Sequence, residues 1–424
     1  MPLLFTLLKK ELRAYLNSST AYIVGISFLL LAELLFFRQA FLVGESSLVV
    51  LFAVLPWLYL LLLPALSMGT LSEESAQGTL EFVGTRPIRE WQLVVSKFLA
   101  ALNVVGLILL VTLPLGMSFA FFGNLDMGVL FSQYLAALFL AAWLLALGVA
   151  LSSVCQNPIS SLVLTAVASF VALVLGTEIV TAALPLSLSP FLNAVAPLNH
   201  YHSMARGVVD VRDVVYAVSS VGIFLSIAYL RLLKRRVGNV RIIYRAYQMG
   251  VGLMLGIAVL ATILSAYIPL RADLTRDNVF TLSNSTKTIS GNLTDVVNVT
   301  LYASSEIPAQ FQTVLRETKD ILRDYERLAR GNIVLTTKDP LKSSATAQEA
   351  EGLGIRPVQF NVMGKGELSV KQGYMGLAVH FGDKREVMPF IQSTADLEYQ
   401  LTTFIRKLTI KNKSGLGFIA NAAD

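Results

Sequence analysis

Met68-Gly-Thr-Leu-Ser-Glu-Glu-Ser-Ala-Gln-Gly-Thr-Leu-Glu-Phe-Val-Gly-Thr-Arg-Pro-Ile-Arg-Glu-Trp-Gln-Leu-Val-Val-Ser-Lys97 is a polar and amphipathic stretch set between two long apolar runs. Each run is long enough to cross about 30 Å of hydrocarbon as a helix of about 20 residues. The stretch therefore connects two membrane helices. Within it Glu73 and Glu74 open an acidic patch, and Gly78 and Thr79 permit a sharp bend into Leu80-Glu81-Phe82. Pro87, directly after Arg86, suits the first turn of a new helix. A short rigid helix presented to a partner on that side of the membrane is the physical expectation.

Outward from this connection, apolar runs predict spans at 21–43, 48–70, 93–122, 131–154, 158–184, 213–233 and 249–270. The composition agrees, with 54% hydrophobic and 15% charged residues among 424 and a mean hydropathy of +0.64. Segments 1–17, 71–92 and 231–247 hold most of the Lys and Arg of this half, whereas 44–47 and 123–130 hold none. By the positive-inside rule the N-terminus and the Met68–Lys97 connection are cytoplasmic, and residues 271–424 lie outside the cell (inner) membrane. The net charge of +6 does not indicate nucleic acid, because the densest basic run, Arg231, Lys234, Arg235, Arg236, Arg241 and Arg245, falls directly between two spans. One cysteine, Cys155, excludes both a disulfide framework and a cysteine metal cluster within one chain.

Ahead of the first span Leu3, Leu4, Leu7, Leu8, Leu12, Tyr15 and Leu16 recur at helical spacing, with Lys9, Lys10 and Arg13 turned away. This predicts an amphipathic helix in the membrane interface, in contact with lipid. Between the fifth and sixth spans, Pro185 and Pro190 rule out a straight crossing helix and predict short re-entrant pieces.

Beyond the last span the pattern becomes α/β. Val296–Ala303 and 332–337, 358–363, 374–381, 385–390 and Leu416–Ala420 read as strands. Pro308 to Arg330 and 394–408 read as amphipathic helices. The chain stops at Asp424, shortly after a strand that would normally feed a helix, so this domain is expected to be incomplete. The expected fold is an α-helical membrane bundle of six spans plus a seventh, followed by an α/β soluble domain. Its domains are 1–20 (interfacial helix), 21–235 (six spans), 236–270 (basic linker and seventh span) and 271–424 (outer domain).

Glu74, Gly78, Thr79, Leu80, Glu81, Pro87 and Lys97 fit the pattern Glu-x-x-x-Gly-Thr-Leu-Glu, then Pro and Lys. That pattern resembles the ABC-2 type permease family. The resemblance extends to Lys9-Lys10-Glu11-Leu12, to Ser152-Ser153 with Asn157, and to Asn199–Gly207, over roughly residues 1–235. It implies that Glu73, Glu74, Gly78, Thr79, Glu81, Arg86 and Pro87 form a coupling element docking on a separate ABC ATPase subunit. That subunit would carry ATP and Mg, and the permease would be a homodimer. A second stretch, Ala272-Asp-Leu-Thr-Arg-Asp-Asn-Val-Phe-Thr-Leu-Ser-Asn-Ser-Thr-Lys287, with Leu397-Glu398-Tyr399 and Gly415-Leu-Gly-Phe-Ile, looks like the gliding-motility GldG-like family. The chain is then similar to a GldF-like permease fused to a GldG-like domain, which implies an envelope protein or polysaccharide partner for residues 271–424.

Gly-x-x-x-x-Gly-Lys-Ser/Thr, Gly-x-Ser-x-Gly and His-Glu-x-x-His do not occur in the sequence, so neither a nucleotide cradle nor a hydrolytic enzyme is expected, and no cofactor in this chain. His200 and His202 flank Tyr201 at a membrane surface and read as interfacial rather than metal-binding. Glu33, Arg38 and Glu178 lie in apolar segments; an ionised group there costs about 2.5–3.5 kcal/mol on insertion scales, which favours interior or functional positions. A membrane-anchored sensory or structural protein is the rival expectation. It leaves so many spans and so elaborate a connection without a purpose.

Overall fold

The structure is a computed structural model. It describes residues 2–43, 48–79, 88–122, 126–177, 194–237, 241–265, 270–276, 278, 281–293, 295–304, 309–329, 331–364, 367–394 and 396–410, with the single residues 180 and 192. Two compact units emerge, one from 1–177 and 190–280, the other from 281–424 with 178–189.

The first unit is helical. α1 is Pro2–Leu16, α2 Ser19–Val43, α3 Val49–Ser67, α4 Gly69–Ala76, α5 Glu90–Phe122, α6 Met127–Val154, α7 Pro158–Val174, α8 Pro197–Ala205, α9 Val211–Val237 and α10 Arg241–Ser265. Six of these carry segments long and apolar enough to cross a membrane: Ser19–Arg38, Val49–Ala76, Glu90–Pro114, Met127–Val154, Val211–Arg236 and Tyr244–Ser265. Of the expected span at 158–184 residues 178, 179 and 181–184 lie outside the described residues, and within the rest α7 has 17 residues, about 26 Å at 1.5 Å per residue. It packs against α3, α4, α6 and α8. A Cβ on Gly176, just past its C-terminus, would stand 3.0 Å from Leu198 Cβ in α8.

α6 is the central post. Residues from Leu130 to Ser153 are buried on nearly every face, as expected of a helix with apolar residues all round. It packs against α3, α5, α7, α8 and α9. Phe52, Tyr59, Leu62, Leu63, Leu144 and Leu145 fill the core beside it. α10 packs along α9 and leaves Met249, Leu253 and Leu260 more than half exposed.

The expected boundary at 271 differs from the observed one. β1, Val208–Asp210, pairs antiparallel with β2, Arg271–Asp273, so residues through 280 group with the helical unit. A hydropathy scan finds where apolar residues end but cannot see backbone pairing across sixty residues.

In the second unit α11 is Asn284–Gly291, β3 Val297–Ala303, α12 Ala309–Leu328, β4 Ile333–Lys338, α13 Ser344–Gly352, β5 Val358–Gly364, β6 Glu367–Gly373, β7 Met375–Phe381, β8 Lys384–Met388 and α14 Leu397–Thr409. The sheet runs β4-β3-β7-β8, with β3 parallel to β4 and antiparallel to β7. Alternation sorts its faces: Leu301, Leu377 and Val379 meet α11, α12 and α14, whereas Tyr302 and Ala378 meet Ala350 and Ile355. β5 and β6 form a separate hairpin. β6 was not expected because Glu367-Leu-Ser-Val-Lys-Gln-Gly373 places only two apolar residues in alternation. The expected strand 416–420 lies outside the described residues.

Candidate functional site

The connection quoted at the outset begins as a continuation of α3. Met68 keeps helical dihedrals, φ −56° and ψ −42°, between α3 and α4. The first turn of α4 has no side-chain cap of its own, and α6 supplies one instead. Ser152 Oγ accepts the N–H groups of Leu71 (3.1 Å) and Ser72 (3.0 Å) and donates to the Met68 carbonyl (3.1 Å). Helix-end donors buried without partners would be costly, so this one hydroxyl fixes α4 against the central post.

α4 ends where glycine allows it to. Gly78 has φ +68°, the left-handed conformation that terminates helices at little steric cost. Its N–H donates to Ser75 O at 3.3 Å. Thr79 Oγ1 donates to Glu74 O, also at 3.3 Å.

Adjacent helical residues point about 100° apart, so Glu73 and Glu74 cannot both face outward. Glu73 is exposed, with Gln77 Nε2 donating to it at 3.3 Å. Glu74 turns inward, where Lys97 Nζ meets its Oε1 at 2.8 Å and Glu11 Oε2 at 3.1 Å. This corrects the expectation of a two-residue acidic patch: the surface has Glu73, and Glu74 belongs to a buried cluster. The Lys97 side chain is 5% exposed, and these two carboxylates are its ion-pair partners in that largely dry site. Glu74 Oε2 is buried without a hydrogen-bond partner among the described residues.

α1 enters this cluster through its polar residues as well as its apolar stripe. Leu7 and Glu11 are buried, and Tyr15 donates to Leu66 O at 2.8 Å. Burial first, then the negative charges of Glu11 and Glu73, raise the Tyr15 pKa, so it remains a phenol and a donor. α1, the α3–α4 junction and Lys97 border a cavity of about 320 Å³ that includes Lys10, Glu11, Tyr15, Glu73, Glu74 and Gln77. On the opposite side Arg235 donates to Ser75 Oγ at 2.8 Å, and Arg236 meets Glu90 Oε1 at 2.6 Å. The basic end of α9 thus grips both borders of the connection.

Of the residues singled out from sequence, Glu73, Glu74, Gly78 and Thr79 come together here. Glu81, Arg86, Pro87 and Glu178 lie outside the described residues. Glu33 is half-buried on α2, and Arg38 is exposed. His200 hydrogen-bonds Asp213 Oδ1 at 2.7 Å and Ala194 O at 3.0 Å, while His202 is exposed. Among the described residues no three His, Cys, Asp or Glu side chains gather into a metal site. Glu11 and Arg236 were not singled out as site residues. The i, i+4 relation of Leu7 to Glu11 puts that carboxylate on the buried face of α1 and was the available signal.

Comparison with known proteins places these features. Residues 276–380 match a domain of unknown function (DUF7088). An uncharacterized protein of Borreliella burgdorferi is 26% identical over 147 residues, 35% of this chain and 28% of that protein. The chain thus spans little more than a quarter of that relative's length. Residues 45–274 match the family described as ABC-2 family transporter protein, and the match takes in α4, Lys97, Ser152 and Arg235–Arg236. It covers more than half of the chain, which therefore belongs to the ABC-2 transporter family as a multi-pass, transmembrane permease subunit.

Proposed function

We propose that this permease is driven by a separate ABC ATPase that docks at the α4 end of the bundle. ATP and Mg act on that subunit, and two copies of this chain form the working permease. The observation that carries the reading is the Glu11–Lys97–Glu74 cluster. It ties α4 to α1 and α5 while leaving Glu73, Gln77, Gly78 and Thr79 exposed at its edge. A load applied to that edge moves three helices together instead of bending a loop.

The α4 end is cytoplasmic in this reading, since Lys9, Lys10, Arg13, Arg89, Arg235 and Arg236 gather in its segments. Residues 281–424 are then extracytoplasmic, on a cell (inner) membrane protein surrounded by lipid. The work done is export or mechanical action on an envelope protein or polysaccharide. The gliding-motility, GldF- and GldG-like resemblance and the size of the second unit support the mechanical form.

The test is affinity purification of the full chain from its own cells, unmodified and with Glu73→Lys plus Thr79→Lys. Recovery of an ABC ATPase with the unmodified chain and its loss from the variant is the expected result. Recovery of no ATPase with either, from lysates in which the chain is intact, would refute the reading.

A further inference from the structure

The far end of the bundle holds residues that the sequence reading assigns to the start of the outer domain. Leu274 N–H donates to Gly207 O at 2.9 Å, and Val211 N–H to Leu270 O at 3.1 Å, extending the β1–β2 pairing on both sides. Asp210 meets Arg271 at 2.9 Å and Arg212 at 2.8 Å. Asp126 caps α6, accepting Gly128 N–H at 2.8 Å and Val129 N–H at 3.2 Å through Oδ1. Its other oxygen accepts Arg276 N–H at 2.8 Å. Two glycines make room for the strap: a Cβ on Gly128 would collide with the Leu274 carbonyl, 2.6 Å from its carbon, and one on Gly207 would lie 2.7 Å from Thr275 Cγ2.

We propose that Arg271–Arg276 is a rigid joint within the helical unit, which holds the chain beyond α10 on β1 and on the Asp126 end of α6 and stays closed as the bundle moves. A segment paired to β1 and bonded to the Asp126 cap of α6 is displaced with them when they move, whereas a free segment is not. The source of the displacement rests on the ATPase-driven reading above; the rigidity of the joint does not.

Hydrogen–deuterium exchange on the full chain in lipid nanodiscs tests this. Without nucleotide, the amides of Leu274 and Arg276 should exchange at least a hundredfold more slowly than an unstructured peptide; exchange at the unstructured rate overturns the joint. Arg271→Gln with Asp210→Asn should speed exchange across 271–276 by about tenfold, and no change would overturn the role of the ion pairs. A second variant avoids loss of folding: Val209→Cys with Ala272→Cys, directly opposed across β1 and β2, should form a disulfide on mild oxidation. With the ATPase present and ATP plus vanadate added, 271–276 should stay protected in both the unmodified and the disulfide-locked chain. Opening of the joint on nucleotide binding overturns it. Absence of any nucleotide response in α4 and α5 counts instead against ATPase coupling, and leaves the nucleotide-free results to decide the joint.

Discussion

The Lys97 ammonium lies 2.8 Å from the Glu74 carboxylate, and that pair closes the space between α5 and α4. With Glu11 on its other side, Lys97 is one cation serving two acids from two other helices. An ion taken out of water is expensive, and what offsets the cost is the geometry of its partners.

Removing the cation should therefore be worse than removing either acid. Lys97→Met leaves two carboxylates facing each other in a largely dry site and is expected to cost about 3–5 kcal/mol of stability, the range for breaking a buried pair. Glu74→Gln leaves Lys97 bound to Glu11 and should cost distinctly less. Thermal unfolding in detergent checks the order, and Lys97→Met with Glu11→Gln and Glu74→Gln should recover part of the loss. Equal effects from Lys97→Met and Glu74→Gln would mean that the cluster is not coupled.

Much of this is legible in the sequence. Apolar runs located the long helices, and the alternation of Val297, Val299 and Leu301 located β3. The inward turn of Glu74 was not read, although its one-residue offset from Glu73 in a helix implies it. The contribution of Ser152 was beyond reach because a serine on α6 completes a helix end some eighty residues earlier. The strap at 271–276 escaped for the same reason: it is held by backbone groups, which carry no residue identity, and by glycines whose value is the space they leave.

Acid should loosen that strap. Burial raises the pKa of Asp210, but the hydrogen bond from Arg271 and the charges of Arg212 and Arg271 outweigh it and hold the carboxyl below the usual range. Asp126 is lowered too, with desolvation again outweighed, here by the N–H groups of Arg276, Val129 and Gly128 and the Arg276 charge. A carboxylate with a depressed folded pKa contributes stability that is complete above its unfolded pKa, about 3.9 for Asp. The contribution is lost as pH falls through the lower folded value. Asp210→Asn should thus lower thermal stability by the same amount at every pH between about 5 and 8, and the acid branch below about pH 4 should be shallower in the variant. A difference in slope near neutrality would contradict this assignment.

In the second unit, Glu398 explains why Leu397-Glu398-Tyr399 and Thr281-Leu282-Ser283 occur in one domain. Glu398 Oε1 accepts Ser283 N–H and the Thr286 hydroxyl, both at 2.7 Å, at the start of α11. Tyr325 joins them through Thr402 at 2.6 Å and Glu398 O at 3.0 Å. Glu398→Ala removes the acceptor of Ser283 N–H and leaves the Thr286 hydroxyl with Thr402, and should cost about 1–3 kcal/mol. The effect should appear as faster amide exchange across 284–291 with little change in α12. Uniform loosening of the whole unit would mean that Glu398 supports the sheet instead of α11.

Gly148 decides how closely α3 and α6 approach. A Cβ there would stand 2.6 Å from Ser67 Cβ and 3.2 Å from Thr165 Cγ2, closer than real Cβ atoms come to side chains that cannot swing away. Ser67 is fully buried and its hydroxyl already bonds Pro64 O at 3.3 Å, so it has nowhere to retreat. Gly148→Ala should therefore destabilise the bundle by about 1–3 kcal/mol, as overpacking does, despite alanine's better helix propensity. The same change on an exposed helix face would stabilise. Ser67→Gly removes the opposing Cβ and should restore most of the loss in the double variant, with thermal unfolding as the readout. If Gly148→Ala proves neutral or stabilising, the close α3–α6 contact is absent and the anchoring of α4 through Ser152, one turn further along α6, loses its support.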